Sequence, residues 1–139
     1  MSVVSSEQFA TFHATHYRVH AADAPFTLRI GAYSAALQRL QQAQDAESSA
    51  FLTAWNPLGQ LAAPHLNSAY QTALQRDLDV MGVACIPGEG VDPATGWAEE
   101  SVLAVGLSRD KAIALGTKYR QLAIVFNAQD AAPELILLN

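Results

Sequence analysis

Leu66, Tyr70, Leu74, Leu78 and Met81 recur at spacings of four and three residues, and Gly82 follows them. That period places side chains on one face of an α-helix, and a glycine is the usual stop at its end. A helix with one apolar face must bury it, and the flanking runs say against what. Phe51 to Trp55 before it and Val83 to Ile86 after it read as strands, so the helix is expected to cross a sheet.

The rest of the chain extends the same scheme. Pro87, Gly88, Gly90, Pro93 and Gly96 mark a long loop, after which Ala98 to Leu107 reads as a strand. Ser108 caps a helix with Ile113, Leu115 and Tyr119 as its apolar positions. Leu122 to Phe126 and Glu134 to Leu138 are strands expected to pair antiparallel. From Phe51 onward the order is strand, helix, strand, strand, helix, strand, plus one strand. This is the order of an α+β, ferredoxin-like (split βαβ) core.

Before that core, Phe9, Phe12, His16 and Val19 lie at helical spacing behind a serine cap, which predicts one amphipathic helix through Val19. A strand over Phe26 to Ile30 and a helix capped by Ser34 follow, giving an N-terminal helix-strand-helix addition. The 139 residues suit a single domain over 1–139, and half of them are hydrophobic while only 15% are charged, so the whole chain is expected to fold apart from a loose extreme N-terminus.

Composition also narrows function. A net charge of -5 gives no basic surface for a phosphate backbone, and Lys111, Lys118 and Arg120 read as a solvated helix face, so nucleic acid is not an expected partner. No run reaches the roughly 18 apolar residues of a membrane span and no secretory leader is visible, so neither a membrane partner nor export is expected and the location expected is cytoplasmic. Cys85 is the only cysteine and reads as a small core residue, with no disulfide and no cysteine-rich metal site. His13, His16 and His20 fall at i, i+3 and i+7, yet about 10.5 Å of helix rise separates the first from the third, too far to share one ion. No metal and no cofactor are expected. Gly88-Glu-Gly90 reads as a turn rather than a phosphate loop, and Ser101 sits in a strand rather than on a nucleophile elbow.

The polar residues that do invite attention cluster through the expected topology. If the Phe51 strand lies beside the Ala98 strand, Asn56 approaches Trp97 and Glu99, and Gln121 and Asn67 arrive at the same end. Thr53, Trp55, Asn56, Asn67, Trp97, Ser101 and Gln121 are therefore candidate ligand-binding residues on one rim. Aromatic planes with convergent amides suit a small polar ligand, such as a nucleotide or an amino-acid derivative. The same residues also suit a plainer task, because Asn-Pro starts turns and asparagine satisfies loop backbone. Glu99 and Glu100 are candidate general acids or bases, although neighbouring strand residues point to opposite faces and only one can face the rim. A binding or regulatory module is the leading expectation, an enzyme using one of these glutamates the second. A third is an interaction domain, even a homodimer, pairing through the edge strand Leu135 to Leu138.

Phe51-Leu-Thr-Ala-Trp-Asn-Pro57, Asn67, Trp97-Ala-Glu-Glu-Ser101 and Gln121-Leu-Ala-Ile124 together resemble the signature of a bacterial family, the domain of unknown function 3293. The resemblance extends to Thr15-His-Tyr17, and departs at Gly59, where the family often carries serine. It implies a bacterial origin and no particular activity, substrate or cofactor.

Overall fold

The computed structural model describes residues 4–138. In chain order the elements are α1 (Ser6–Ala14), β1 (His16–Val19), β2 (Phe26–Leu28), α2 (Ala35–Ala43), β3 (Ser49–Leu52), a 3-10 turn (Pro57–Gly59), α3 (Pro64–Val80), β4 (Ala84–Val91), β5 (Ala98–Val105), α4 (Arg109–Lys118), β6 (Ala123–Asn127) and β7 (Glu134–Leu137). The strands form one α+β sheet in the order β2-β1-β4-β5-β3-β6-β7. Every neighbouring pair is antiparallel.

Strand alternation divides the core in two. Ala50, Leu52, Val102, Ala104, Ile124 and Phe126 face Leu74 and Leu78 of α3 and Ala112 and Leu115 of α4. On the opposite side Phe51, Leu103, Val105 and Val125 join Tyr17, Val19 and Leu28 beneath Leu37 of α2. α4 lies very close to β6, because a Cβ added to Gly116 would come within 2.6 Å of Ile124 Cγ2. α1 differs from the other helices in burying no residue. It is held by a capping box between Ser5 and Gln8 and by the Tyr17 hydroxyl, which donates to the Phe12 carbonyl at 2.7 Å.

Three expectations need correction. The first helix does not continue to Val19: it stops at Ala14, and Thr15 is already extended. Tyr17 and Val19 are then buried alternately on β1, so a strand period of two had been read as part of a helical one. The Pro-Gly run after Ile86 is a loop only from Asp92 to Trp97, where Pro93 and Gly96 lie, since β4 continues through Pro87, Gly88 and Gly90 to Val91 and pairs with β5 along its whole length. Pro87 fits because its carbonyl accepts from His20 N at 2.9 Å. Its missing N–H faces the same side, just past the end of the β1 pairing, where the sheet loses little. Gly88 fits because a Cβ there would lie 2.4 Å from the Arg18 carbonyl oxygen and 3.0 Å from the Phe51 ring. Glycine here marks close approach of a neighbouring strand, not a turn. The strand expected over Phe51 to Trp55 is displaced toward the N-terminus, to Ser49–Leu52. The looseness expected at the extreme N-terminus concerns residues 1–3, outside the described ones.

No described helix is long and apolar enough to cross a membrane. Cys85 is half-buried against the α3 side of the core, and burial pushes its thiol up, away from the reactive thiolate.

Candidate functional site

β3 ends at Leu52, and the next residues are held by side chains rather than by the ladder. Thr53 Oγ1 donates to the Glu100 carbonyl at 2.7 Å and accepts from Trp55 N at 3.1 Å. Ala54 N donates to Gln71 Oε1 at 2.9 Å, and Asn56 N donates to Asn67 Oδ1 at 2.8 Å. Asn67 and Gln71 are one turn apart on α3, so both point at the same stretch of departing backbone. Both are buried, which explains why polar residues occupy the first turns of the inward face of that helix.

Asn56 is the junction. Its backbone is left-handed, with φ 47° and ψ 67°, a region asparagine tolerates better than most residues. Its Oδ1 accepts from Asn67 Nδ2 at 2.8 Å and from Ala62 N at 3.0 Å. Its Nδ2 donates to Glu99 Oε2 at 3.1 Å, and Trp97 Nε1 donates to the same oxygen at 3.0 Å. Gln121 Nε2 donates to the carbonyls of Trp55 at 3.2 Å and Tyr119 at 3.3 Å, and Leu58 N donates to the Arg120 carbonyl at 2.7 Å. These bonds tie the end of β3 to β5, to α3 and to the turn before β6.

The Glu99 carboxylate lies at the wall of a cavity of about 620 Å³ between the sheet and α1. Phe51, Thr53, Ser101 and Val125 supply part of its floor, and Gln8, Thr11 and Phe12 of α1 its roof. The volume falls within the roughly 300–1,000 Å³ typical of small-molecule sites. Burial pushes the phenol of Tyr17, also at this cavity, well above its ordinary range, so it remains a neutral hydrogen-bond donor.

Five of the residues singled out by sequence line this cavity: Thr53, Trp97, Glu99, Ser101 and Gln121. Asn56 and Asn67 do not line it; they stand behind Glu99 and brace it, the plainer of the two roles open to them. Trp55 contributes backbone bonds and is likewise outside the lining. Glu100 is exposed on the far face, level with Glu89 on β4, which in turn stands opposite Arg18 on β1. The Arg18 to Glu89 pair, 3.6 Å apart, marks that row as a solvated one. Sequence reasoning missed the roof. Gln8, Thr11, Phe12 and Thr15 share one helical face of mostly polar character, and that face was the available signal.

The three histidines do not share a helix. His13 is on α1 with Nδ1 at 3.0 Å from the Phe9 carbonyl oxygen, His16 is on β1 beside Arg29, and His20 follows β1. Among the described residues no three His, Cys, Asp or Glu side chains gather as metal ligands.

A braced carboxylate in a cavity with a strand floor and a helix roof defines a small α+β chain with one candidate site. Residues 52–124, more than half of the chain, match the family described as Protein of unknown function (DUF3293), and the chain belongs to that family. The matched span contains every candidate residue from Thr53 to Gln121, whereas Thr15-His-Tyr17 and the roof helix lie outside it. No curated protein and no solved structure matches the chain significantly.

Proposed function

We propose that the chain is a binding module whose cavity between α1 and the sheet takes a small polar ligand. The observation that carries this reading is the Glu99 carboxylate. Two donors, Asn56 Nδ2 and Trp97 Nε1, converge on one of its oxygens at a cavity wall. A charged group fixed in advance loses little freedom when a ligand arrives, which favours recognition. The mixture of apolar floor and a few placed polar groups, Thr53, Ser101 and Gln121, is that of a ligand pocket. Glu100, on the far face, cannot serve Glu99 as partner acid or base.

We propose also that β3 to β6 with α3 and α4 form a ferredoxin-like core. The adjacency β4-β5-β3-β6, with each crossover helix packed on one face, supports this. On that scheme the rim is the sheet end where β3 leaves and β5 and β6 begin.

The test is differential scanning fluorimetry of the full chain against a library of small polar metabolites. Ala123 lines the cavity from β6, so Ala123→Trp fills it. At least one compound is expected to raise the melting temperature of the wild type and leave that of Ala123→Trp unmoved. A library in which no compound distinguishes the two proteins refutes the binding reading.

A further inference from the structure

The cavity has a sign as well as a shape. Resting on the binding reading above, we infer that its ligand is a small organic cation, an amine on an apolar or aromatic body, with the ammonium group on Glu99. Three carboxylates, Glu7, Asp92 and Glu99, border the cavity from α1, the β4–β5 hairpin loop and β5, and no Lys, Arg or His is among the lining residues. Aromatic surface is present beside them in Phe12, Tyr17, Phe51 and Trp97.

Glu99 carries the argument, because the other two have local tasks. Asp92 Oδ1 accepts from Ala94 N at 2.9 Å and shapes the hairpin loop, and Glu7 sits in the first turn of α1, where a negative charge favours the helix. Glu99 Oε2 is occupied by Asn56 and Trp97, which fixes the plane of the carboxylate. Its Oε1 accepts no hydrogen bond from any described residue. This oxygen is solvent-reachable rather than buried, so an ammonium group can donate to it, and charge-assisted bonds of this kind are among the stronger ones. Aromatic faces add attraction for the same charge.

The same lining rejects the opposite sign. A phosphate or carboxylate entering this recess would meet three like charges with no lining cation to pair with, and low-dielectric walls enlarge that repulsion. Nucleotides and organic acids thus leave the ligand class, and among amino-acid derivatives the decarboxylated or esterified forms fit better than the free zwitterion.

Isothermal titration calorimetry with three probes sharing one indole body tests this: tryptamine (cationic), N-acetyltryptamine (neutral) and indole-3-propionate (anionic). Tryptamine is expected to bind at least about tenfold more tightly than the neutral probe, and the anion not measurably. Glu99→Gln keeps an oxygen acceptor for Asn56 and Trp97 but removes the charge, and should bring tryptamine to about the affinity of N-acetyltryptamine. Should Glu99→Gln fold poorly, the wild type alone decides. Raising salt from about 0.05 to about 0.5 M must weaken tryptamine binding and leave the neutral probe unaffected. Equal or tighter binding of the neutral or anionic probe, salt-insensitive tryptamine binding, or no probe binding at all overturns the inference. If Ala123→Trp abolishes binding of an anionic or neutral probe, the cavity reading survives while the cation assignment falls.

Discussion

The two faces of the sheet are closed by different physics. Toward α3 and α4, apolar residues of β3, β5 and β6 meet those of the two helices, most of them at or near zero exposure. Toward α1 the strands carry Thr53, Glu99 and Ser101 among apolar residues, and the helix above them buries nothing. A face packed by apolar side chains gains stability from every methylene. A face left partly open forgoes some of that and gains room for another molecule. The contrast teaches that the dry cores beneath α3, α4 and α2 hold the sheet together, so the region beneath α1 is free to carry chemistry.

Substitutions can break this comparison, and the dry face should respond most. Leu78→Ala is expected to lower unfolding free energy by about 2–5 kcal/mol in urea titrations, because Leu78 is fully buried there. Thr11→Ala in the α1 roof should change it by less than about 0.5 kcal/mol. Similar losses for the two would erase the distinction.

The brace between the faces should come next. Asn67→Ala leaves the Asn56 N–H and Oδ1 short of partners in a buried position, a loss of roughly 1–3 kcal/mol by chemical denaturation. A change near zero would show that the β3 exit does not depend on that amide pair.

A smaller effect attaches to Tyr17, whose hydroxyl is the tether from β1 to α1. Tyr17→Phe should cost about 0.5–1.5 kcal/mol near neutral pH. Because burial raises the folded-state pKa of Tyr17, the unfolded chain loses its proton first as pH rises. Stability from this group is therefore complete below the unfolded value of about 10 and declines above it. Tyr119 is displaced upward too, by burial and by the Asp77 carboxylate it donates to at 2.6 Å. Denaturation curves from about pH 9 to 11 should thus show an alkaline loss that Tyr17→Phe reduces without abolishing.

The smallest global effect is expected from Ser5→Ala. Removing the capping box destabilises α1 locally by about 1 kcal/mol, seen as faster amide hydrogen exchange over Ser6–Ala14. The global unfolding midpoint should barely move, and a large shift would show that the roof helix belongs to the core after all.

Most helices and strands were legible because their residues follow one period each. Leu74 and Leu78 announce α3, and Ser34 and Ser108 cap α2 and α4 as expected, accepting from the N–H of Leu37 and Lys111. Two of the misreadings share one reason: the deciding partner is distant in sequence. Gly88 reads as a turn until Phe51 and the Arg18 carbonyl are brought against it. By its spacing Leu66 opens the apolar stripe of α3, yet it is exposed and Asn67 is buried, because the backbone at Asn56 requires an amide. At the rim, the approach of Asn56 to Glu99 followed from strand adjacency. Which of those residues face a cavity did not, since the roof helix buries none of the apolar residues it carries.

β3 has a further consequence, in time rather than in space. Ser49 is paired with Val105 on one side and with Asn127 on the other, so this strand gains no ladder neighbour until much of the chain after it exists. Pairings between such distant residues carry the cost of closing long loops and slow the search for the native arrangement. On a ribosome, Thr53 would leave the exit tunnel well before Ser101 and Gln121, and it must wait for both. β3 is thus held in suspense during synthesis, and the cavity floor is completed only when β5 and β6 arrive.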